Sequence, residues 1–411
     1  MTTAREKGKW FGFLGGACTL FAVYAAASSP IPLFNIYQSM IAMSNGDLAL
    51  TAVFYFVGTL VSLLMFARIS NYIGRKKSVI IALLLSAAGC GVFAAVNNVP
   101  MFMLGRFLQG MSCGLASSCA AAYVVDTAPR TPAWLGAVIV SSAPMVGLAA
   151  GAFGAGAVAQ YGGGQLAVID AVLIGVDVLC LFLILAGKET VAPCKGVVRS
   201  LRPQIKVPHS IRPLLLGASA AFAGTWAIGG FFQAYSATMA TEQFGTTNTL
   251  IAAAIFASLM APNVIGSTLA GKMNEKTAQR TGMTVFACCV MVIIATLGLG
   301  LVVPFLIACV LGGAAIGMAF SGAMRSILDK TTAEERAGVL STIYLISYSG
   351  AAIPNLIVGR ISGMFSLLQI ATGYGVLVLI ALVLTWTVGI APRSGRATSR
   401  ALESDSATDF S

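Results

Sequence analysis

Twelve separate apolar stretches, each long enough to cross a bilayer, constrain this chain more than any other feature. They fall near residues 10–33, 47–67, 78–96, 101–124, 134–158, 164–187, 213–235, 249–271, 282–302, 304–327, 338–359 and 367–391. A helical crossing needs about 20 apolar residues. None of the stretches alternates with the period of two that a membrane barrel strand requires. The reading is therefore an all-α integral membrane protein with twelve transmembrane helices. Twelve crossings of about 22 residues leave connections of about 11 residues each, too short for a separate soluble catalytic domain. Composition agrees, with 57% hydrophobic and only 9% charged residues, whereas a soluble domain has about a quarter of its residues charged.

The formal charge of +11 would suggest nucleic acid if the basic residues formed one folded patch, but they lie between apolar segments. An amino terminus in the cytoplasm puts 23 of the 25 Lys and Arg residues on or near the cytoplasmic face, leaving Arg106 and Arg360 toward the other side. That asymmetry sets the orientation by the positive-inside rule, with both termini cytoplasmic. The expected location is a plasma membrane, a bacterial inner membrane. The nine cysteines are odd in number and lie mostly in apolar runs, so they read as packing residues rather than disulfides or a metal cluster. The expected organisation is a first six-helix bundle over 1–187, a cytoplasmic linker over 188–212, a second bundle over 213–391 and a disordered cytoplasmic tail over 392–411.

The two halves repeat. Residues 67–76 after the second stretch align with 271–280 after the eighth, at an offset of 204. Asp126 aligns with Asp329, Gly136 with Gly338 and Gly147 with Gly350, at offsets of 203, 202 and 203. Nearly constant offsets at equivalent places imply two pseudo-repeated six-helix bundles, whose interface normally holds a substrate path.

These residues resemble the major facilitator superfamily of secondary transporters. Gly74, Arg75 and Lys76 match its signature loop between the second and third helices, with Ala67, Asn71 and Tyr72 departing from it. Arg106-Phe107-Leu108-Gln109-Gly110 matches its fourth-helix Arg-x-x-Gln-Gly pattern. Gly147, Gly151, Gly154 and Gly156 are similar to the fifth-helix motif of proton-driven drug exporters, although Ala152 stands where that motif has proline. The resemblance implies the superfamily fold and alternating access, and a role for Arg106 in proton or substrate coupling.

Gly74 lets a tight loop turn. Arg75 then either anchors to headgroups or pairs with Asp126 as a gating latch, with Glu275 beside Lys276 and Asp329 beside Arg325 as the second-half counterparts; the last pair is equally an i, i+4 bridge. Arg106, about six residues into its span, must face a cavity or a partner, or snorkel outward, because an unpaired guanidinium in hydrocarbon is costly. Asp170 and Asp177 share a face of the sixth helix and are the candidate proton carriers, or else packing residues. By resemblance, the helices that line the superfamily's cavity carry Tyr24, Tyr55, Gln109, Trp226, Gln233, Asn263, Tyr344, Tyr348 and Asn355, with Phe231, Phe232 and Tyr235 nearby. Aromatics, amides and hydroxyls suit a partly apolar organic molecule. Gly147, Gly151, Gly154 and Gly350 are expected where helices approach closely.

The leading expectation is a proton-coupled exporter, an antiporter, of small, partly apolar organic compounds; the alternative is a proton-coupled importer of an organic acid or other metabolite. The expected partners are a small-molecule substrate, protons and the lipid bilayer, with no nucleic acid, no cofactor and a monomeric state. Among sequence motifs there is neither a metal or nucleophile constellation for an enzyme nor a phosphate-binding loop for an ATP-driven pump. A receptor is disfavoured by the twofold repeat.

Overall fold

The computed structural model describes residues 2–387 except 130, 133–134, 163–164, 195–196, 198–200, 202–204, 206, 210 and 333–334. Arg130, the linker residues Lys195, Arg199, Arg202 and Lys206, and the tail expected over 392–411 lie outside the described residues.

Twelve helices are long and apolar enough to cross a membrane: α1 (Gly8–Ile41), α2 (Asn45–Met65), α3 (Arg75–Ala94), α4 (Val99–Thr127), α5 (Leu135–Tyr161), α6 (Leu166–Ala186), α7 (Arg212–Gln243), α8 (Thr249–Ala270), α9 (Glu275–Gly298), α10 (Val302–Leu328), α11 (Gly338–Ile361) and α12 (Leu367–Thr387). Several run further than their apolar stretches suggest. Pro30 and Pro32 look like the end of α1, since proline removes a backbone donor. The chain instead makes a 3₁₀ turn over Ile31–Leu33 and resumes as a helix over Phe34–Ile41. Polar caps start the helices where the sequence turns apolar. Ser44 and Asp47 form a reciprocal capping box for α2, with the Asp47 N–H donating to Ser44 Oγ at 3.1 Å and the Ser44 N–H to Asp47 Oδ2 at 2.8 Å. Asn98, Asn248 and Asn274 cap α4, α8 and α9.

The packing is a duplicated plan. In the first bundle α1 packs on α4, α5 and α6, α2 on α4, and α3 on α4 and α6; each pairing recurs six helices later, from α7 with α10, α11 and α12 to α9 with α12. Glycines make the closest contacts in both copies. A Cβ on Gly110 or Gly114 of α4 would overlap the carbonyl oxygen of Tyr55 or Thr59 on α2, and one on Gly313 or Gly317 of α10 would overlap that of Leu259 or Asn263 in α8. The two pairs are 203 positions apart, an offset the sequence comparison had reached from other residues. Outward-facing Val172, Leu179 and Phe182 on α6 and Val303, Ile307 and Leu311 on α10 are exposed, as a lipid-facing surface requires.

The bundles meet through α2 with α11 and through α5 with α8. Lys76, Lys188, Lys272 and Lys330 sit at one end of the molecule, called here the basic end. The opposite end is sealed by direct bonds between the bundles. Asn35 Nδ2, just past the α1 break, donates to Ala237 O at 2.8 Å and to Thr241 Oγ1 at 3.1 Å. Thr249 Oγ1 at the start of α8 donates to Gly156 O of α5 at 2.6 Å, and its N–H donates to Gln160 Oε1 at 3.2 Å. Gly46 of α2 lies directly against the Gly359 carbonyl of α11.

Candidate functional site

The centre of the molecule is an aromatic cluster built from both bundles. Phe56 of α2 lies 6.0 Å from the Tyr348 ring and 6.4 Å from Trp226. Trp226 meets Tyr348 edge-on at 4.5 Å and Phe320 at 6.3 Å, and Tyr344 follows Tyr348 at 6.3 Å. Tyr24 of α1 stands within electrostatic reach of Tyr344 and Ser117, and Tyr55 within reach of Tyr24 and Tyr348. Four tyrosines from three helices, α1, α2 and α11, thus converge beside one tryptophan of α7, an apolar chamber with phenolic hydroxyls at its edges. Asn355 is buried with its Oδ1 unpartnered, and a Cβ on Gly230 would touch its amide. Gln233 is one turn past Gly230 on the Trp226 face and also has a buried, unpartnered Oε1.

The expected cavity set is corrected in part. Phe231 meets Tyr374 of α12 at 4.9 Å and Tyr235 at 5.5 Å with tilted rings, while Phe232 stacks on Phe305 of α10. A helix has only one face toward the chamber, and Trp226, Gly230 and Gln233 occupy it, so these rings pack behind it. Asn263 lies against Gly317 within the second bundle rather than among the rings. Phe56 and Phe320 belong to the cluster and were missed, because a phenylalanine in an apolar run carries no polar signal to separate it from lipid-facing neighbours.

Arg106 is fully buried and neither snorkels nor meets a carboxylate. Its Nη1 donates to Ala27 O at 2.7 Å and to Gln109 Oε1 at 2.9 Å, and Gln109 Nε2 donates to Ala26 O at 2.7 Å. Pro30 has no N–H to give the Ala26 carbonyl four residues before it, so that oxygen takes side-chain donors instead, the Ser29 hydroxyl at 2.9 Å as well as Gln109. The guanidinium lies 4.9 Å over the Tyr55 ring and 5.9 Å over Phe34, two cation–π contacts. Its Nε and Nη2 remain unpartnered. Asp170 and Asp177 are both buried on the α6 face that packs on α3 and α1, with Asp170 Oδ2 and both Asp177 oxygens unpartnered.

At the basic end Arg75 Nε bonds Asp126 Oδ2 at 3.0 Å, and Arg75 Nη1 donates to Ser70 Oγ at 2.6 Å and Asn71 Oδ1 at 2.8 Å. Both residues of the pair lie in the first bundle. Glu189, which gave no signal in the sequence, organises this region. Its carboxylate accepts the N–H groups of Arg75 at 2.8 Å and Lys76 at 3.1 Å, the opening donors of α3, and those of Thr190 and Val191. Anions favour a helix N-terminus for this reason. Gly74 turns with φ +98, and a Cβ there would stand 2.6 Å from Glu189 Oε2. Lys76 Nζ reaches back to the carbonyls of Leu185 and Gly187, and Thr190 Oγ1 donates to Asp126 Oδ2. The second-bundle counterparts form no such pairs. Arg325 donates to the carbonyls of Ala270 and Met273 past the end of α8, where a cation satisfies orphan acceptors. Glu275 opens α9 beside its Asn274 cap. Among the described residues neither Glu275 nor Asp329 forms an ion pair.

With this geometry in place, residues 16–354 match the family described as the Major Facilitator Superfamily. The chain belongs to that superfamily. Three curated relatives are similar over part of it. The uridine/deoxyuridine transporter of Lactococcus lactis subsp. cremoris (strain MG1363) is 31% identical over 24% of this chain and 21% of its own length. The D-xylose-proton symporter-like 2 protein of Arabidopsis thaliana is 31% identical over 29% of this chain and 24% of its own. The quinolone resistance protein NorA of Staphylococcus aureus (strain MRSA252) is 22% identical over 27% of this chain and 28% of its own. The matched stretches therefore span about a quarter of each relative.

Within this superfamily member the glycine-rich α5 needs one correction. Gly147 lies on Phe21 and Gly151 on Ala25, both in α1, and the duplicated Gly350 of α11 lies on Ala223 of α7. Gly154, expected among them, has nothing within 4 Å of a Cβ, and Gly156 makes the close approach instead, onto Thr249 of α8. Three residues beyond Gly151 the α5 surface has turned away from α1, and two more bring it round to the second bundle.

Proposed function

We propose that this chain is a secondary active transporter of small, partly apolar organic compounds, working by alternating access between a first bundle over 1–187 and a second over 213–391, as a proton-coupled exporter. The observation that carries this reading is the aromatic chamber, whose walls come from α1, α2, α7, α10 and α11 and therefore from both bundles. A compound held among Tyr55, Trp226, Tyr344 and Tyr348 touches the two bodies that move against each other. Its binding energy then bears on their equilibrium. The basic end faces the cytoplasm, so the sealed end faces outward, and release to the outside requires the Asn35, Gly46 and Thr249 contacts to part.

The reading fits a superfamily whose relatives include both a drug-resistance protein and proton-linked or nucleoside transporters. A second reading is favoured by Arg106: its unpartnered Nε and Nη2 beside Tyr55 suit a carboxylate, as an importer of an organic acid would need. Proteoliposomes with an imposed pH gradient distinguish the two. The exporter reading expects accumulation of aromatic cations such as ethidium against their gradient on the side from which protons flow. Gradient-driven uptake of aromatic carboxylates, with no movement of cations, would replace it with the importer reading.

A further inference from the structure

Asp170 and Asp177 lie away from the aromatic chamber, and the chamber does not explain them. They occupy one stripe of α6 together with Leu166 and Ala167, since positions 166, 170, 173 and 177 share a helix face. The rest of that helix is largely exposed. The stripe faces α3, where Ser86, Cys90 and Phe93 form the matching i, i+4 and i+7 row. Both acids are almost fully buried, at 3% and 2% exposure.

A cavity of about 360 Å³ opens at the sealed end, lined by Tyr37, Ser39, Phe93, Val96, Leu166 and Ala167 among others. Asp170 is one helical turn below Leu166 and Ala167. Tyr37 and Cys90 are within electrostatic reach of Asp170, and Cys90 is within reach of Asp177 as well. The two acids are about 10 Å apart along the helix axis, too far to share one ion, and the Cys90 thiol stands between them. Ser86 Oγ faces Asp177 without a regular hydrogen bond. Beyond Asp177, Cys113 of α4 stands within reach of that acid on one side and of Arg106 and Tyr55 on the other. The titratable groups facing the two acids among the described residues are thus Tyr37 of α1, Cys90 of α3, Cys113 of α4 and Cys180 of α6 itself, with Cys18 of α1 next to Cys180. None carries a positive charge, and the contacting face of α5 offers no titratable group.

From the cavity, the buried stripe and the absence of a counter-cation we propose that this seam between α1, α3 and α6 is a proton lane, entered from the outer end past Ala167 and leading through Asp170 and Asp177 toward Arg106, separate from the path of the organic substrate. It deepens the proton-coupled reading and rests on it. A carboxyl is the one acidic group that such a site accommodates in both states, as an O–H donor when neutral and as an anion when water or a proton donor reaches it. The proton moves from outer water to the Asp170 carboxylate; Asp170 O–H then gives its proton to Cys90 Sγ as the Cys90 S–H gives its own to the Asp177 carboxylate, so that only O–H and S–H bonds are made and broken, and Asp177 returns the proton to water once the basic end opens. Separate entry keeps the Asn35 and Thr249 seal shut to the organic compound while protons arrive.

The test begins with the purified protein and needs no substrate. Infrared difference spectra between about pH 5 and about pH 9 should contain a carboxyl C=O band from these sites, with separate losses in Asp170→Asn and Asp177→Asn. In vesicles, an outside pH jump should raise that band about tenfold more slowly when Ala167→Trp fills the exposed mouth and excludes its water. Because Ala167 is at the surface, that variant keeps the proposal testable if an Asp variant fails to fold. A band unchanged in both Asp variants, or a rise unaffected by Ala167→Trp, would overturn the lane. Ethidium movement under a pH gradient is measured in the same vesicles. Its absence in wild type removes the coupled-transport reading while the band still reports on the lane, and wild-type ethidium movement in Asp177→Asn removes the lane.

Discussion

Replacing Gly46 by valine should prise open the sealed end. In the structure a Cβ at this position would lie 2.6 Å from the Gly359 carbonyl oxygen, whereas an ordinary carbon–oxygen contact is about 3.3 Å or more. The deficit of about 0.7 Å falls on two backbones, so no side chain can swing away, and valine adds two methyl groups to it. Overpacking of this kind costs about 1–3 kcal/mol. At about 2 kcal/mol the sealed state loses about 30-fold against states in which α2 and α11 are apart. A cysteine at Asn355, fully buried on α11 one turn inward of Gly359, reports the opening through its alkylation by a charged thiol reagent. Its rate should rise about 30-fold in Gly46→Val and stay unchanged in Gly154→Val, where a side chain meets nothing within 4 Å. Equal rates in the two variants would refute the claim that this contact holds the seal.

Other outcomes follow from the same geometry. Trp226→Ala or Tyr348→Ala should weaken binding of an aromatic cation about tenfold, read by equilibrium titration, whereas Phe231→Ala should lower thermal stability and leave affinity alone. Glu189→Gln keeps its shape but loses the charge facing the α3 amino terminus, and a stability loss of about 1–2 kcal/mol is expected by thermal unfolding. For Arg75 and Asp126, whose side chains are 16% and 31% exposed, a double-mutant cycle on stability should return a coupling of about 1 kcal/mol or less. A cysteine at Tyr161 should react with a membrane-impermeant reagent from outside the cell, while Cys194 should react only after permeabilisation.

The helices and their duplication were legible because they rest on run length and on glycine spacing, and both are properties of the chain itself. Arg106 with Gln109, and the burial of Asp170 and Asp177, were legible because an ionisable residue inside an apolar run has few places to go. Other residues depended on information the sequence does not carry locally. Glu189 matters because the chain after α6 folds back over the start of α3, a contact spanning 113 and 114 positions. Asp329 looked like a partner for Arg325 at helical spacing, but the unpaired carbonyls at the end of α8 were better placed for that guanidinium. Gly154 and Gly156 differ by half a turn, and periodicity alone cannot say which neighbour each half-turn meets. Phe56 and Phe320 show the same limit for apolar residues, whose role depends only on which side of the helix lipid lies.

The glycine contacts between α2 and α4, and between α8 and α10, have a mechanical consequence. Backbone rests on backbone there, with no layer of side chains in between that could change rotamer and let one helix slide on the other. Each of these helix pairs is thus jointed too stiffly to bend within itself. Any large motion is left to the seams between the bundles, so a stiffening change made inside one bundle should leave the speed of the cycle nearly untouched, while one made across α2 and α11 or α5 and α8 should set it.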